Sequence, residues 1–173
     1  MSFSDFLRKL NNHIGTHKVH LCPAVKGRLV NNGIPLENVR ISRTLSYSDG
    51  KYTEDHCYTC RNGEFEMPEM SLRSSQPALL IAEKIVYQLI TVVFADVEYK
   101  LWSSTPSGIR DKKEYSLKLG SLNCDIQNEE VSFYFKGNQE SHKYRASGIC
   151  RWGEDFLLID HESEFAKMIE GAL

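Results

Sequence analysis

The sequence predicts a mainly β protein, a sandwich of short strands with a short helix at each end. Three observations carry that prediction. Apolar and polar residues alternate in many short runs, as at Val25, Gly27, Leu29 and again at Val39, Ile41, so each run can bury one face. Turn chemistry separates the runs: Asn31-Asn32-Gly33 before Pro35, Asp49-Gly50, and Asn62-Gly63 are residues that tolerate positive φ or preset a bend. Apolar residues at helical spacing predict a short helix at each of the two ends of the chain. Many short strands with turns between them describe a sandwich.

Taken in order, residues 2–10 predict an amphipathic helix, with Ser4 as cap and Phe3, Phe6, Leu7 and Leu10 at helical spacing. It is short and weakly basic, which favours a helix closing the core over a membrane-surface or partner helix. Residues 11–22 carry His13, His17, His20 and Cys22. Their spacing suits zinc, but Gly15-Thr16 interrupts a helix and no second paired cluster follows, so solvated or locally hydrogen-bonded histidines are expected. Strands are predicted over residues 24–30, 38–45, 52–60 and 64–67, the last stopped by Pro68, with a polar loop over 69–77.

Residues 78–102 predict two strands turning at Ala95-Asp96. The run from Ile85 to Phe94 is so rich in apolar and β-branched residues that it predicts a central strand buried on both faces. Residues 103–114 are rich in Ser, Pro, Gly and charge and predict a mobile loop. Alternation then predicts strands through Tyr115/Leu117/Leu119, Leu122/Cys124/Ile126, Val131/Phe133/Phe135 and Tyr144/Ala146/Gly148. A turn at residues 153–155 leads into a strand over 156–159. Asp160 caps a final helix with Phe165, Met168, Ile169 and Leu173 on one face. The expected organisation is one domain: N-terminal helix and lead-in 1–22, sandwich 23–160, C-terminal helix 161–173.

The chain has 173 residues, 41% hydrophobic and 25% charged, enough for a real core in one soluble globular domain. Its formal net charge of −2 shows no basic excess, which argues against nucleic acid as a partner. The most apolar stretch, residues 85–97, is too short to span a bilayer, and no apolar leader region opens the chain. A cytoplasmic protein with no membrane partner is expected, with its five cysteines reduced.

Catalytic chemistry finds little support. Cys57-Tyr58-Thr59-Cys60 is a CxxC, but on a strand residues three apart point to opposite faces. A zinc site drawn from His17, His20, Cys22, Cys57 and Cys60 would need four converging ligands. No G-x-S-x-G elbow, phosphate loop or dinucleotide fingerprint occurs. Asp160-His161-Glu162 reads as helix-start carboxylates favoured by the dipole. No catalytic residue, metal or cofactor is therefore expected. Trp102 and Trp152 are candidate contact aromatics that also suit a core. Acidic groups fall late, at Glu129-Glu130, Glu154-Asp155 and residues 160–164, and could steer a basic partner. The candidate partner-binding residues are Trp102, Arg110, Asp111, Glu129, Glu130, Trp152, Glu154 and Asp155.

Several of these residues carry a resemblance. Gly27-x-Leu29, the Gly33-x-Pro35-Leu36 turn, Val39-x-Ile41 and Thr59-x-x-x-Gly63-x-Phe65 resemble the carboxypeptidase regulatory-like, transthyretin-like (prealbumin-like) β-sandwich. That family usually has Asp after the Thr, where Cys60 stands here. The resemblance implies an accessory, non-catalytic module. Tyr87-Gln88-x-Ile90, Glu98-Tyr99-x-Leu101-Trp102 and Leu122-Asn123-Cys124-Asp125-Ile126 extend it to a stand-alone proteobacterial family of this type. Residues 129–173 depart from that core. Some small bacterial proteins of this sort are similar to immunity proteins, the cognate partners of secreted effectors.

The expected function is therefore non-enzymatic protein binding. Its most concrete form is a bacterial immunity protein that blocks a secretion-system toxin, for example one of the type VI system. The alternatives are a structural or adaptor module of a secretion apparatus and a zinc- or thiol-dependent enzyme. The sequence carries no signal for an oligomeric state.

Overall fold

The structure is a computed structural model that describes residues 3–79, 81–137 and 143–159. It is mainly β, as the sequence predicts. Helix α1 spans Phe3–Asn12. Lys51 caps its end: Nζ donates to the carbonyls of Asn11 (2.9 Å), Ile14 (2.5 Å) and Arg73 (2.7 Å), a cation where the helix dipole favours one. Strand β1 (His17–Cys22) pairs antiparallel with a later strand, Met70–Ser74. The second replaces the expected polar loop over 69–77, and the first falls in the 11–22 stretch, where the sequence predicts no strand. The alternation was hidden in two ways. Ser74, a polar residue, is a fully buried position whose hydroxyl accepts from the Gln76 N–H. A bulge between His20 and Cys22 turns both Leu21 and Cys22 inward.

Strand β2 (Val25–Asn31) is the hub of a second sheet. It pairs antiparallel with β3 (Ile34–Pro35) across the turn at Asn32 and Gly33, whose φ angles are +50° and +80°. Gly27 has a steric reason. A Cβ there would lie 2.5 Å from the Leu122 carbonyl oxygen and 2.5 Å from the Phe65 ring, so only glycine lets both neighbours close in.

The remaining strands follow in order: β4 (Arg40–Tyr47), β5 (Tyr52–Tyr58), β6 (Glu64–Met67), β7 (Met70–Ser74), β8 (Val86–Phe94), β9 (Val97–Ser104), β10 (Leu122–Asp125), β11 (Val131–Lys136), β12 (Lys143–Gly148) and β13 (Leu157–Leu158). β6 pairs antiparallel and β10 parallel with β2. The large sheet runs β13-β11-β12-β9-β8-β4-β5, with every pair antiparallel. Buried side chains from all three sheets form one cluster.

Two expectations are corrected in this region. β8 is central, but it alternates: Val86, Gln88, Ile90 and Val92 are buried, while Tyr87, Leu89 and Val93 are exposed. Its apolar run reflects an apolar outer face, not a second core. The expected strand at Tyr115/Leu117/Leu119 is helix α2 (Lys113–Leu119). Tyr115 and Leu119 are buried and Leu117 is exposed; a spacing of four fits a helix as well as a strand, and burial decides. The expected C-terminal helix and its cap Asp160 lie outside the described residues.

The core contains polar ties. Trp102 is fully buried, and its Nε1–H is shared between Gln88 Oε1 (3.1 Å) and Ser104 Oγ (2.9 Å). Gln88 Nε2 donates to the Leu21 carbonyl at 2.7 Å, joining β8 to β1. Arg43, fully buried, makes a fork with Asp55: Nε to Oδ1 at 2.9 Å and Nη2 to Oδ2 at 2.6 Å.

The expectation of five reduced cysteines is also corrected. Cys124 and Cys150 form a disulfide across an isolated antiparallel bridge, sewing β10 to the segment after β12. Cys22, Cys57 and Cys60 are free. Nothing in their sequence spacing marks which two of the five face each other.

Candidate binding surface

The strand register builds one continuous outer face on the large sheet. Opposite Arg40, Ser42, Thr44 and Ser46 of β4 stand Tyr58, His56, Glu54 and Tyr52 of β5. Opposite Ser42, Thr44 and Ser46 on the other side stand Thr91, Leu89 and Tyr87 of β8. The face continues onto β9 through the Val93–Glu98 and Leu89–Ser103 pairs. Tyr52, Tyr58, Tyr87, Leu89 and Val93 on it are all at least 37% exposed. His56 and Tyr58 sit edge to face at 5.8 Å between ring centroids. Helix α1 meets it at one end, where Leu7, Asn11 and Asn12 share a cleft with Tyr52 and the Asn12 side-chain amide donates to the Tyr52 carbonyl at 2.8 Å. The four strands β5, β4, β8 and β9, of seven to nine residues each, at ~4.8 Å spacing and ~3.4 Å per residue give a footprint of order 500 Å², a large part of the about 800 Å² per partner that a standard interface takes.

The sequence-predicted contact residues divide among three places. Trp102 is corrected: with no exposed surface, it packs against Tyr115, Phe133, Phe135 and Trp152 and offers nothing to a partner. Trp152, Glu154 and Asp155 lie by Lys118 in the last turn of α2, and Glu129 lies by Arg151. Arg151 Nη2 donates to the Glu129 carbonyl at 2.6 Å. Lys118 Nζ donates to the Glu154 carbonyl at 2.8 Å and lies 5.5 Å from the Trp152 ring centroid. Burial lowers the Lys118 pKa, with Asp155 and Glu154 opposing. Trp152 is half-buried, and Glu130 reaches across to Lys100 at 2.5 Å, on the outer face.

Arg110 and Asp111 lie before the first turn of α2, in a cleft beside β1. His20 stands there between two carboxylates, Nδ1 3.3 Å from Glu69 Oε1 and Nε2 3.3 Å from Asp111 Oδ1. The 103–114 stretch is tied down on both sides: the His20 N–H donates to the Ile109 carbonyl, and the Val86 N–H to the Pro106 carbonyl. Its first two residues belong to β9.

The candidate metal and thiol residues are dispersed. His17 bonds locally, its Nδ1 2.9 Å from the Thr16 hydroxyl. Cys22 is buried beside Arg43, and burial pushes its thiol up to about 11. Cys57 faces inward, half-buried, with its pKa raised first by burial; Cys60 is exposed. Among the described residues no group of three His, Cys, Asp or Glu side chains could hold a metal. None of their helices is long and apolar enough to cross a membrane. Sequence reasoning missed the outer face because Tyr87, Leu89 and Val93 read as core; the Ser and Thr residues opposite them on β4 were the available signal.

A family profile described as a domain of unknown function (DUF6795) matches residues 25–129, from β2 to the turn before β11. No curated protein and no solved structure matches the chain.

Proposed function

We propose that this chain, which belongs to the DUF6795 family of domains of unknown function, is a non-enzymatic protein-binding domain on a transthyretin-like β-sandwich. The observation that carries the reading is the set of exposed aromatic and aliphatic side chains on the outer face of the large sheet. Its rigid aromatic side chains, set among Ser and Thr, are what binding faces use for area at low entropic cost. The concrete form is an immunity protein that occludes a bacterial toxin, supported by the resemblance drawn from Tyr87 to Ile126. Glu54 and Glu98 on the face and Glu129 and Glu130 beside it would meet a basic toxin surface and speed encounter.

The Cys124–Cys150 disulfide favours action in an oxidising compartment over the cytoplasm expected from the sequence, because cytosolic thiols are kept reduced. Co-expression with the product of the neighbouring gene tests the reading. Restored growth together with a one-to-one complex supports it. A toxic neighbour that still kills, with no complex formed, refutes it.

A further inference from the structure

The cleft between β1 and the 106–112 loop has a charge pattern that protein binding on the outer face does not use. Its volume is about 390 Å³. Lys84, Arg110 and Lys112 line it together with His17, Ser107 and Asp111. Asp111 is engaged elsewhere: one carboxylate oxygen accepts from the Ser116 hydroxyl at 2.6 Å and faces His20 Nε2 at 3.3 Å. Lys112 Nζ donates to Ser107 Oγ at 3.2 Å, which holds both groups at the wall. Among the described residues, the side chains of Lys84 and Arg110 have neither an ion-pair nor a hydrogen-bond partner. Three cations against one carboxylate leave a formal +2 in the cleft, before any charge on His17. The chain as a whole carries −2, so this is a local reversal that focuses anions.

The walls are held before any ligand arrives. The Gly108 N–H donates to the Lys84 carbonyl at 2.5 Å, the Val86 N–H to the Pro106 carbonyl at 3.0 Å, and the His20 N–H to the Ile109 carbonyl at 2.9 Å. These bonds fix the spacing of Lys84 and Arg110, so binding need not order the loop. Pro77 and Ile109 add an apolar side to the cleft.

We propose that this cleft is a binding site for a phosphomonoester dianion carried on a small apolar body. The dianion matches the +2 charge. The Arg110 guanidinium offers a planar fork to two phosphoryl oxygens, Lys84 a point charge, and Ser107 a hydroxyl. A monocarboxylate neutralises half of that charge and binds less tightly. The site is separate from the outer sheet face and independent of the protein-binding reading.

The test is isothermal titration of the full chain with phenyl phosphate, inorganic phosphate and benzoate at constant ionic strength. The expected order is phenyl phosphate tightest, inorganic phosphate next, benzoate weakest. Arg110→Ala and Lys84→Ala are each expected to weaken phenyl phosphate binding about tenfold. Lys26→Ala, on β2 and paired with Glu66, is expected to leave it unchanged. Phenyl phosphate binding no tighter than benzoate binding overturns the proposal, and so does an affinity insensitive to both cleft substitutions. Equal binding of phenyl and inorganic phosphate removes the apolar body from it.

Discussion

Replacing Asp55 with alanine isolates the most demanding polar contact in the core. Arg43 has no exposed side-chain surface, and among the described residues Asp55 is its only anionic partner, at 2.6 Å. Among the described residues its Nη1 has no oxygen or nitrogen partner even before the substitution. Asp55→Ala would leave a full charge in the interior with its fork unfilled. Breaking a buried pair by removing one member costs about 3–5 kcal/mol, a large share of the ~5–15 kcal/mol that holds a domain folded. With a urea m-value of about 2 kcal/mol/M, the unfolding midpoint should fall by about 1.5–2.5 M.

The paired substitution separates the value of the ion pair from the cost of an orphaned charge. Arg43→Met with Asp55→Ala removes both charges and should recover most of the loss. The assay is urea unfolding at neutral pH followed by tryptophan fluorescence, which Trp102 reports from within the core. A midpoint shift below ~0.5 M for Asp55→Ala, or a double variant no better than the single one, would refute the reasoning.

Other predictions follow from the same contacts. Cys124→Ser with Cys150→Ser opens a 26-residue span and should lower stability by about 3.5 kcal/mol on the chain-entropy estimate; calorimetry with and without reductant checks it. A maleimide at neutral pH should label Cys60 first and leave Cys22 untouched until the protein unfolds, read by peptide mass mapping. Cys22 stays protonated in the folded state up to about pH 11, against an ordinary value of 9.0. Its burial therefore supports the fold fully below pH 9, and that support drains away between pH 9 and about 11, visible as a fall in the urea midpoint over that window. Gly27→Ala should cost more than ~2 kcal/mol, because the Leu122 carbonyl is backbone and cannot yield.

What the sequence made legible was local. The Val25/Leu29 and Ile41/Leu45 alternations, the Asn32-Gly33 turn and the Ala95-Asp96 turn, whose residues both take positive φ, depend on neighbours in the chain. What it hid was set by partners far away. β7 was hidden because Ser74 is a core residue only once Gln76 and the surrounding strands enclose it. α2 was hidden because Tyr115 and Leu119 satisfy two periodicities. The outer face was hidden because an apolar residue looks the same whether the core or a partner will cover it. Arg110 was legible as a candidate contact, but its company with Lys84 and His17 depends on bringing three distant segments together.

The central claim, protein binding through the outer face of the large sheet, is tested most directly by titrating the purified neighbouring gene product against wild-type protein and the Leu89→Arg variant. Leu89 is 37% exposed and lies between Thr44 and Ser103, so arginine there leaves the core intact. The account predicts a one-to-one complex for the wild type and an affinity at least a hundredfold weaker for the variant at unchanged stability. Equal affinity for both proteins, or no complex with either, would contradict it.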